Sequence, residues 1–356
     1  MTPQLSICIL TYNRAPYLRS LLQCIMRQFT DDIPPGTVEI YVRNNASTDD
    51  TAAVLAEYAA LLPGLRHTTL AVNEGFDRNC FSIVREARGT FCWLMGDDDL
   101  PAPGGIATVL RDIQTLGIDL LLYDRIECDE HSMAPICMRH WSSLPDGTIV
   151  DGGSRDSLCA YLKKAAWTGS LFSFISCLVI RRTHWQLPEI TDILESGYVH
   201  IFCCWSLLTN DGHMLVSRNT PILCRCTNGI AQSGVLNRLL LDLRGFGNLA
   251  HFADRKTPGI GSEILRTFRR RGCLSMILKA TIVARQENRS AELQQWLQEC
   301  EYSFLTRWCT KYPRLLLLLH PVWLAVLAPF RRMANQISLH RAQICPPSTH
   351  PKFSTP

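Results

Sequence analysis

Phe91-Cys92-Trp93-Leu94-Met95-Gly96-Asp97-Asp98-Asp99 is an apolar run that stops abruptly at three adjacent carboxylates. A short, continuous apolar segment bounded by glycine reads as a buried strand. The carboxylates that follow repel one another unless a cation stands among them. Hard oxygen ligands suit Mg2+ or Mn2+, which bind one or two carboxylates together with substrate phosphates. A solvated acidic turn capping a helix from near Pro103 is the alternative.

Outward from that run the chain alternates between two periods. Residues 5–10, 38–42, 65–72, 90–95 and 118–123 are strand-like apolar runs. Residues 17–29, 78–87 and 103–116 have helical spacing, and Ser47-Thr48-Asp49-Asp50 caps a further helix reaching about Leu62. This alternation predicts βαβ units and an α/β fold with a doubly wound, mainly parallel sheet. Ligands of such sheets sit beyond the carboxyl ends of the strands. Four polar clusters fall there: Thr11-Tyr12-Asn13-Arg14, then Arg43-Asn44-Asn45-Ala46-Ser47-Thr48-Asp49, then Asn73-Glu74-Gly75-Phe76-Asp77-Arg78-Asn79, then Asp97-Asp98-Asp99. Any one cluster is ordinary turn chemistry; four in register describe one concave polar site. No GxGxxG follows the first strand and no GxxxxGK[ST] occurs, which argues against a dinucleotide fold and a P-loop.

The chain has 356 residues, 47% hydrophobic and 19% charged, enough for a full core and too apolar for disorder. A net charge of +4 gives no reason to expect nucleic acid as a partner. The sixteen cysteines lie mostly in apolar runs and read as reduced hydrophobes of a cytoplasmic protein, the start having no basic leader region. Cys224-x-Cys226 lacks a second ligand pair at zinc spacing. The expected organisation is a core at 1–125, an α+β continuation at 126–235, a more basic helical extension at 236–344, and a Pro/Ser/Thr-rich disordered tail at 345–356.

The order Ser6-Ile7-Cys8-Ile9-Leu10-Thr11-Tyr12-Asn13-Arg14, Asn44-Asn45-Ala46-Ser47-Thr48-Asp49, Asn73-Glu74-Gly75 and Gly96-Asp97-Asp98-Asp99 resembles the family 2 glycosyltransferases. The resemblance covers residues 4–125 and fades through about 230. It implies the GT-A fold, a nucleotide-sugar donor, inversion at the anomeric carbon, and Mn2+ or Mg2+ as cofactor. Within the family the chain is most similar to bacterial transferases of lipid-linked surface polysaccharide, including the abequosyl type. The implied acceptor is then a saccharide, polyprenyl-diphosphate-linked. Thr11, Tyr12, Asn13 and Arg14 would line base and ribose, Asn44 would stand where the family has an aspartate contacting the base, and Asn73, Gly75 and Asn79 would line the nucleotide pocket. Asp97, Asp98 and Asp99 would hold the metal, with two alignments open: Asp97 as principal ligand with Met95 at the motif's first position, or Asp97-x-Asp99 as the whole motif.

An inverting transferase needs a general base. Where the family has an acidic pair about a dozen residues before the glycine ending the next helix, counting back from Gly212 gives Val199-His200. His200 is the replacement candidate, with Asp192 and Glu195 as rivals and a structural histidine as the alternative. Other classes weighed are a catalytically silent nucleotide-sugar-binding scaffold and a nucleotidyltransferase, the latter disfavoured because Thr11–Pro16 holds no glycine. The apolar run 315–330 is too short to span a bilayer and is broken by His320-Pro321. With Arg314, Arg331 and Arg332 at its ends it reads as a peripheral contact on the inner face of the cytoplasmic membrane, a buried core helix being the alternative.

Overall fold

The eight strands of the principal sheet run in the order β3 (Leu65–Thr69), β2 (Val38–Asn44), β1 (Leu5–Thr11), β4 (Phe91–Gly96), β10 (Leu178–Arg181), β6 (Leu120–Tyr123), β11 (His213–Ser217) and β9 (Thr148–Asp151) in the computed structural model. The structure describes residues 2–29, 33–166, 168–188, 193–226, 234–269, 274–314 and Leu318. The apolar run 315–330 (Leu318 aside) and the tail 345–356 lie outside them. Strands β3, β2, β1 and β4 are mutually parallel, as are β6 and β11, while β10 and β9 run antiparallel to their neighbours.

Strands β1 and β2 are buried along their whole length; β1 is apolar but for Ser6 and its last residue, whereas β2 also buries Glu39 and Arg43, which are paired with Arg66 and Asn79. Their two faces serve two cores. Ile7 and Ile9 pack with α1 (Ala15–Met26), α2 (Thr51–Leu61) and α4 (Gly105–Asp112), through residues such as Leu18, Val54 and Ile106. Cys8 and Leu10 face α3 (Gly75–Glu86), α5 (Arg155–Lys164) and α6 (Val199–Leu208). That second core continues without a break into the helical extension, α7 (Val235–Lys256), α8 (Ile260–Arg269), α9 (Leu274–Gln286) and α10 (Ser290–Glu299), which joins it through Leu239, Ile264, Ile277 and Leu293. A last short helix, α11 (Phe304–Cys309), follows.

The chain leaves β1 toward β2 and β3, then returns to place β4 on the other side of β1. Connections diverging from adjacent strands open a crevice at their carboxyl ends. A second sheet of four strands, β5 (Leu100–Pro101), β12 (Ile222–Arg225), β7 (Arg125–Cys128) and β8 (Pro135–Arg139), starts directly after Asp99. Pairing of β5 with β12 therefore ties the acidic run to residues more than 120 positions later.

Capping of α2 comes from within the expected Ser47–Asp50 run. Asp49, not the adjacent Asp50, accepts the Thr51 N–H at 3.1 Å, and its other oxygen accepts the Ala15 N–H of α1 at 2.9 Å. One carboxylate thus caps two helices. Burial works against its ionisation, but the bonds from Thr51 and Ala15 prevail and hold it below the usual carboxylate range. Every cysteine among the described residues is free, and no cluster there of three His, Cys, Asp or Glu side chains could hold a metal ion.

Candidate functional site

A cleft of about 460 Å³ opens at the crevice between β1 and β4. Its walls come from all four polar clusters: Thr11, Tyr12 and Arg14 after β1, Asn45 after β2, Asn73, Gly75, Phe76 and Asn79 around the start of α3, and Gly96 through Asp99 after β4. Phe174 and Ile175 close the far side.

The loops are braced against one another before any ligand enters. Asn13 adopts a left-handed φ of 52° that a short amide side chain tolerates. Its N–H donates to Ser47 Oγ at 2.8 Å, and its Oδ1 accepts the Thr48 N–H at 2.7 Å. Asn45 donates to Asn73 Oδ1 at 2.8 Å and accepts the Glu74 N–H at 2.9 Å. Gly75, which opens α3 at a φ of +80°, donates to the same Asn73 oxygen at 2.8 Å. Buried Arg43 donates to Asn79 Oδ1 at 2.9 Å and pairs with Glu74 at 3.3 Å. Such cross-bracing removes ordering cost from ligand binding.

Asp97 and Asp99 are buried, and Asp98 is partly exposed. Arg14 Nη1 lies 3.1 Å from Asp97 Oδ1 and 2.9 Å from Asp98 Oδ2. Burial pushes the Asp97 carboxyl up to about 6 despite Arg14. Burial and then the charge of Asp98 push Asp99 to about 7. Asp99 accepts the Ser176 hydroxyl at 2.6 Å and the Arg225 N–H at 3.2 Å, and Ser176 Oγ in turn accepts the Gly96 N–H at 3.0 Å. Elevated carboxyl groups in a cleft mark a place where an added positive charge is favourable. Thr11 Oγ1, beside Asp97, is buried with no hydrogen-bond partner of ordinary geometry.

Three sequence expectations change. Asn44 does not line the cleft: it is fully buried, its Oδ1 accepting the Ser47 N–H at 3.0 Å and its amide nitrogen 3.5 Å from Thr69 Oγ1. Its neighbour Asn45 faces the cleft instead. Arg14, expected along base and ribose, turns its guanidinium to the carboxylates. Asn13, expected in the same lining, shapes the loop rather than the wall.

His200 is the larger correction. Helix α6 is buried on every side, so a residue in its first turn is 2% exposed. Neither ring nitrogen has a hydrogen-bond partner of ordinary geometry. The imidazole meets Phe76 edge-on at 5.6 Å and Tyr198 at 6.0 Å. Burial holds its pKa down at about 3, the Ser173 backbone opposing this weakly. An imidazole so enclosed is held in its neutral form and lines no part of the cleft.

What stands at the head of α6 is carboxylate chemistry. Buried Asp77 accepts the N–H groups of Gly197 at 2.6 Å and Val199 at 2.9 Å. Burial raises its pKa, with these bonds resisting. It fastens the turn preceding α6 to the cleft, since its neighbour Phe76 is a wall residue. Glu195 ends the 3-10 turn Ile193–Glu195 in that segment, exposed; Asp192 lies outside the described residues.

Asn45 and Phe76 were missed although they sit inside quoted motifs. Phe174, Ile175, Ser176 and Arg225 carried no local signal. They arrive because β10 inserts antiparallel beside β4 and β12 pairs with β5.

Residues 6–135 match the family model described as Glycosyl transferase family 2. Over 255 residues the chain is 29% identical to an abequosyltransferase, RfbV, of Salmonella typhimurium, covering 69% of this chain and 74% of that one. Its fold is similar to residues 1–349 of TarS from S. aureus in complex with UDP-GlcNAc, with a TM-score of 0.59 at 14% identity over 87% of each chain. It is also similar to the mannosyltransferase PcManGT of Pyrobaculum calidifontis in complex with GDP-Man and Mn2+, with a TM-score of 0.51 at 13% identity over 88% of each chain. At such identities these two likenesses speak to the GT-A fold alone.

Proposed function

We propose that this chain, a glycosyltransferase that belongs to family 2 through its residues 6–135, is an inverting, divalent-metal-dependent enzyme moving a deoxyhexosyl group from a nucleotide-sugar to a lipid-linked saccharide. The observation that carries the reading is the acidic corner of the cleft, Asp97 and Asp99 with raised carboxyl groups at the carboxyl end of β4.

The donor set fits Mn2+ or Mg2+, which take one or two carboxylates and complete their shell with water and phosphate oxygens. Asp97 and Asp99 would hold the ion, with Asp98 beside them and the Thr11 hydroxyl, which lies next to Asp97, within the same corner. Bound there, the cation offsets charge on the departing diphosphate. The chain's own residues do the rest. Exposed Tyr12 offers a ring face at the mouth for the base. The Asn45–Asn73 brace fixes the strand-end loops around the nucleotide, and Asp99 is held by Ser176 and Arg225 so that the corner keeps its shape. Phe76, Phe174 and Ile175 give the cleft an apolar wall. Such a wall suits a sugar lacking hydroxyls, in keeping with similarity to an abequosyltransferase.

The proton of the acceptor hydroxyl goes to Glu195, the last residue of the 193–195 turn, with Asp192 its rival on sequence alone; Asp77 holds the residues that follow through the N–H groups of Gly197 and Val199. The acceptor is a polyprenyl-diphosphate-linked saccharide in surface-polysaccharide synthesis, met at the cytoplasmic membrane's inner face. Exposed Phe304, Trp308 and Tyr312 follow one another at helical spacing among Arg307, Lys311 and Arg314, a composition suited to a bilayer interface. No helix among the described residues is long and apolar enough to cross a membrane.

The test is a transfer assay with nucleotide-deoxyhexoses and nucleotide-hexoses, Mn2+, and a polyprenyl-diphosphate saccharide. Nucleoside diphosphate release that depends on Mn2+ and acceptor, with inverted anomeric configuration in the product by NMR, is expected. Retention of configuration, or full activity in chelator, would sink the reading.

A further inference from the structure

Arg14 and Arg225 both approach the acidic corner, but they are held differently. Arg225 is tied to main chain, its Nε donating to the Asp98 carbonyl at 3.2 Å and its backbone N–H to Asp99. Arg14 is held by the Asp97 and Asp98 carboxylates, at 3.1 and 2.9 Å. Its side chain is 34% exposed on the cleft side, and the Tyr17 ring is 6.0 Å away, at the edge of useful cation–π range. One guanidinium thus sits on Asp97, one of the two carboxylates proposed for the ion, and on its neighbour Asp98, in a place open enough to leave them.

We propose that Arg14 is an exchangeable counter-ion, resting on Asp97 and Asp98 in the free enzyme and moving onto the donor's diphosphate when a divalent cation takes the carboxylates. The inference rests on the metal reading of the corner. A cation arriving alone must displace the guanidinium into solvent beside itself, so its binding is weak. When a diphosphate arrives with it, the guanidinium, which meets Asp97 and Asp98 through Nη1 alone, moves to anionic oxygens that its planar fork can grip with two nitrogens. Each ligand then strengthens the other, and by linkage the factor is the same in both directions. The device keeps the corner neutralised between turnovers without filling it with metal.

The experiment is Mn2+ binding to the full chain, read by loss of the free-ion EPR signal, with and without UDP, GDP or CDP as probes. Wild type should show weak binding alone and tighter binding with a nucleotide, by ~5–150-fold as is typical of coupled sites. Arg14→Gln should bind Mn2+ alone more tightly than wild type, with coupling reduced to what direct phosphate ligation of the ion supplies; Arg14→Lys, keeping charge without the fork, should fall between. Thermal melts confirm folding, and Arg14→Met serves if Arg14→Gln melts early. Unchanged or weaker Mn2+ affinity in the folded variant, with coupling intact, overturns the proposal while leaving the metal reading in place. If wild type takes up no Mn2+ under any of these conditions, the metal reading falls and the counter-ion exchange with it.

Discussion

The cleft and the head of α6 are built by opposite means. In the cleft, side chains from four strand-end loops hydrogen-bond to one another and still present polar atoms to its interior. At the head of α6, polar groups are either used up, as in Asp77, or sealed in, as in His200. Loops at strand ends leave side chains available because the backbone, not the side chain, makes the sheet. A helix buried on every side leaves none. Residue type alone therefore misleads more at the second place than at the first.

The contrast breaks most visibly if the base is misassigned. Glu195→Gln, or Asp192→Asn, should cut turnover by ~10²–10⁴-fold, the usual cost of losing a general base. His200→Leu should stay within a few-fold of wild type, measured as turnover against pH for all three. Large loss in His200→Leu with both carboxylate variants active would restore the histidine to the chemistry.

The carboxylates of the cleft come next. Asp97→Asn should lower turnover by ~10²–10³-fold, the range seen when one charge-stabilising group is removed, and weaken nucleoside diphosphate binding in Mn2+. Calorimetric affinity equal to wild type would remove Asp97 from the donor site.

A buried histidine also leaves a stability signature. The native pKa of His200 is near 3 against a reference of about 6.5, so below pH 6.5 the unfolded chain binds the proton that the folded chain refuses. Its contribution is fully present above pH 6.5 and is lost as pH falls toward 3, at about 1.4 kcal/mol per pH unit. The stability gap between His200→Leu and wild type should therefore widen in favour of the variant between pH 6.5 and 5, by denaturant titration. A gap independent of pH would mean that the imidazole is solvated.

The smallest effect sharpens the contrast within one dipeptide. Asn44→Ala should cost about 1 kcal/mol of stability, through the lost bond to the Ser47 N–H, with nucleotide affinity little changed. Asn45→Ala should instead weaken nucleotide binding. Similar affinity loss in both variants would show that the loop acts as one unit.

Strand and helix order through residue 123 was legible because β1 and β4 are nearly continuous apolar runs, and strand-like and helical periods alternate between polar clusters. The corner at Asp97–Asp99 was legible for the same reason: charge placed directly after a buried strand stands at its open end. Tertiary structure alone decided which of two adjacent asparagines faces the cleft, that Arg14 turns to the carboxylates, and that Ser176 and Arg225 hold Asp99. These depend on rotation about a strand end and on the pairing of β10 with β4 and β12 with β5, contacts spanning from about 80 to over 120 residues. Burial of His200 was equally hidden. Alternation of polar and apolar residues reports burial only where one face meets water, and α6 meets none, so its histidine looked like a group at a helix start and is a group in a core.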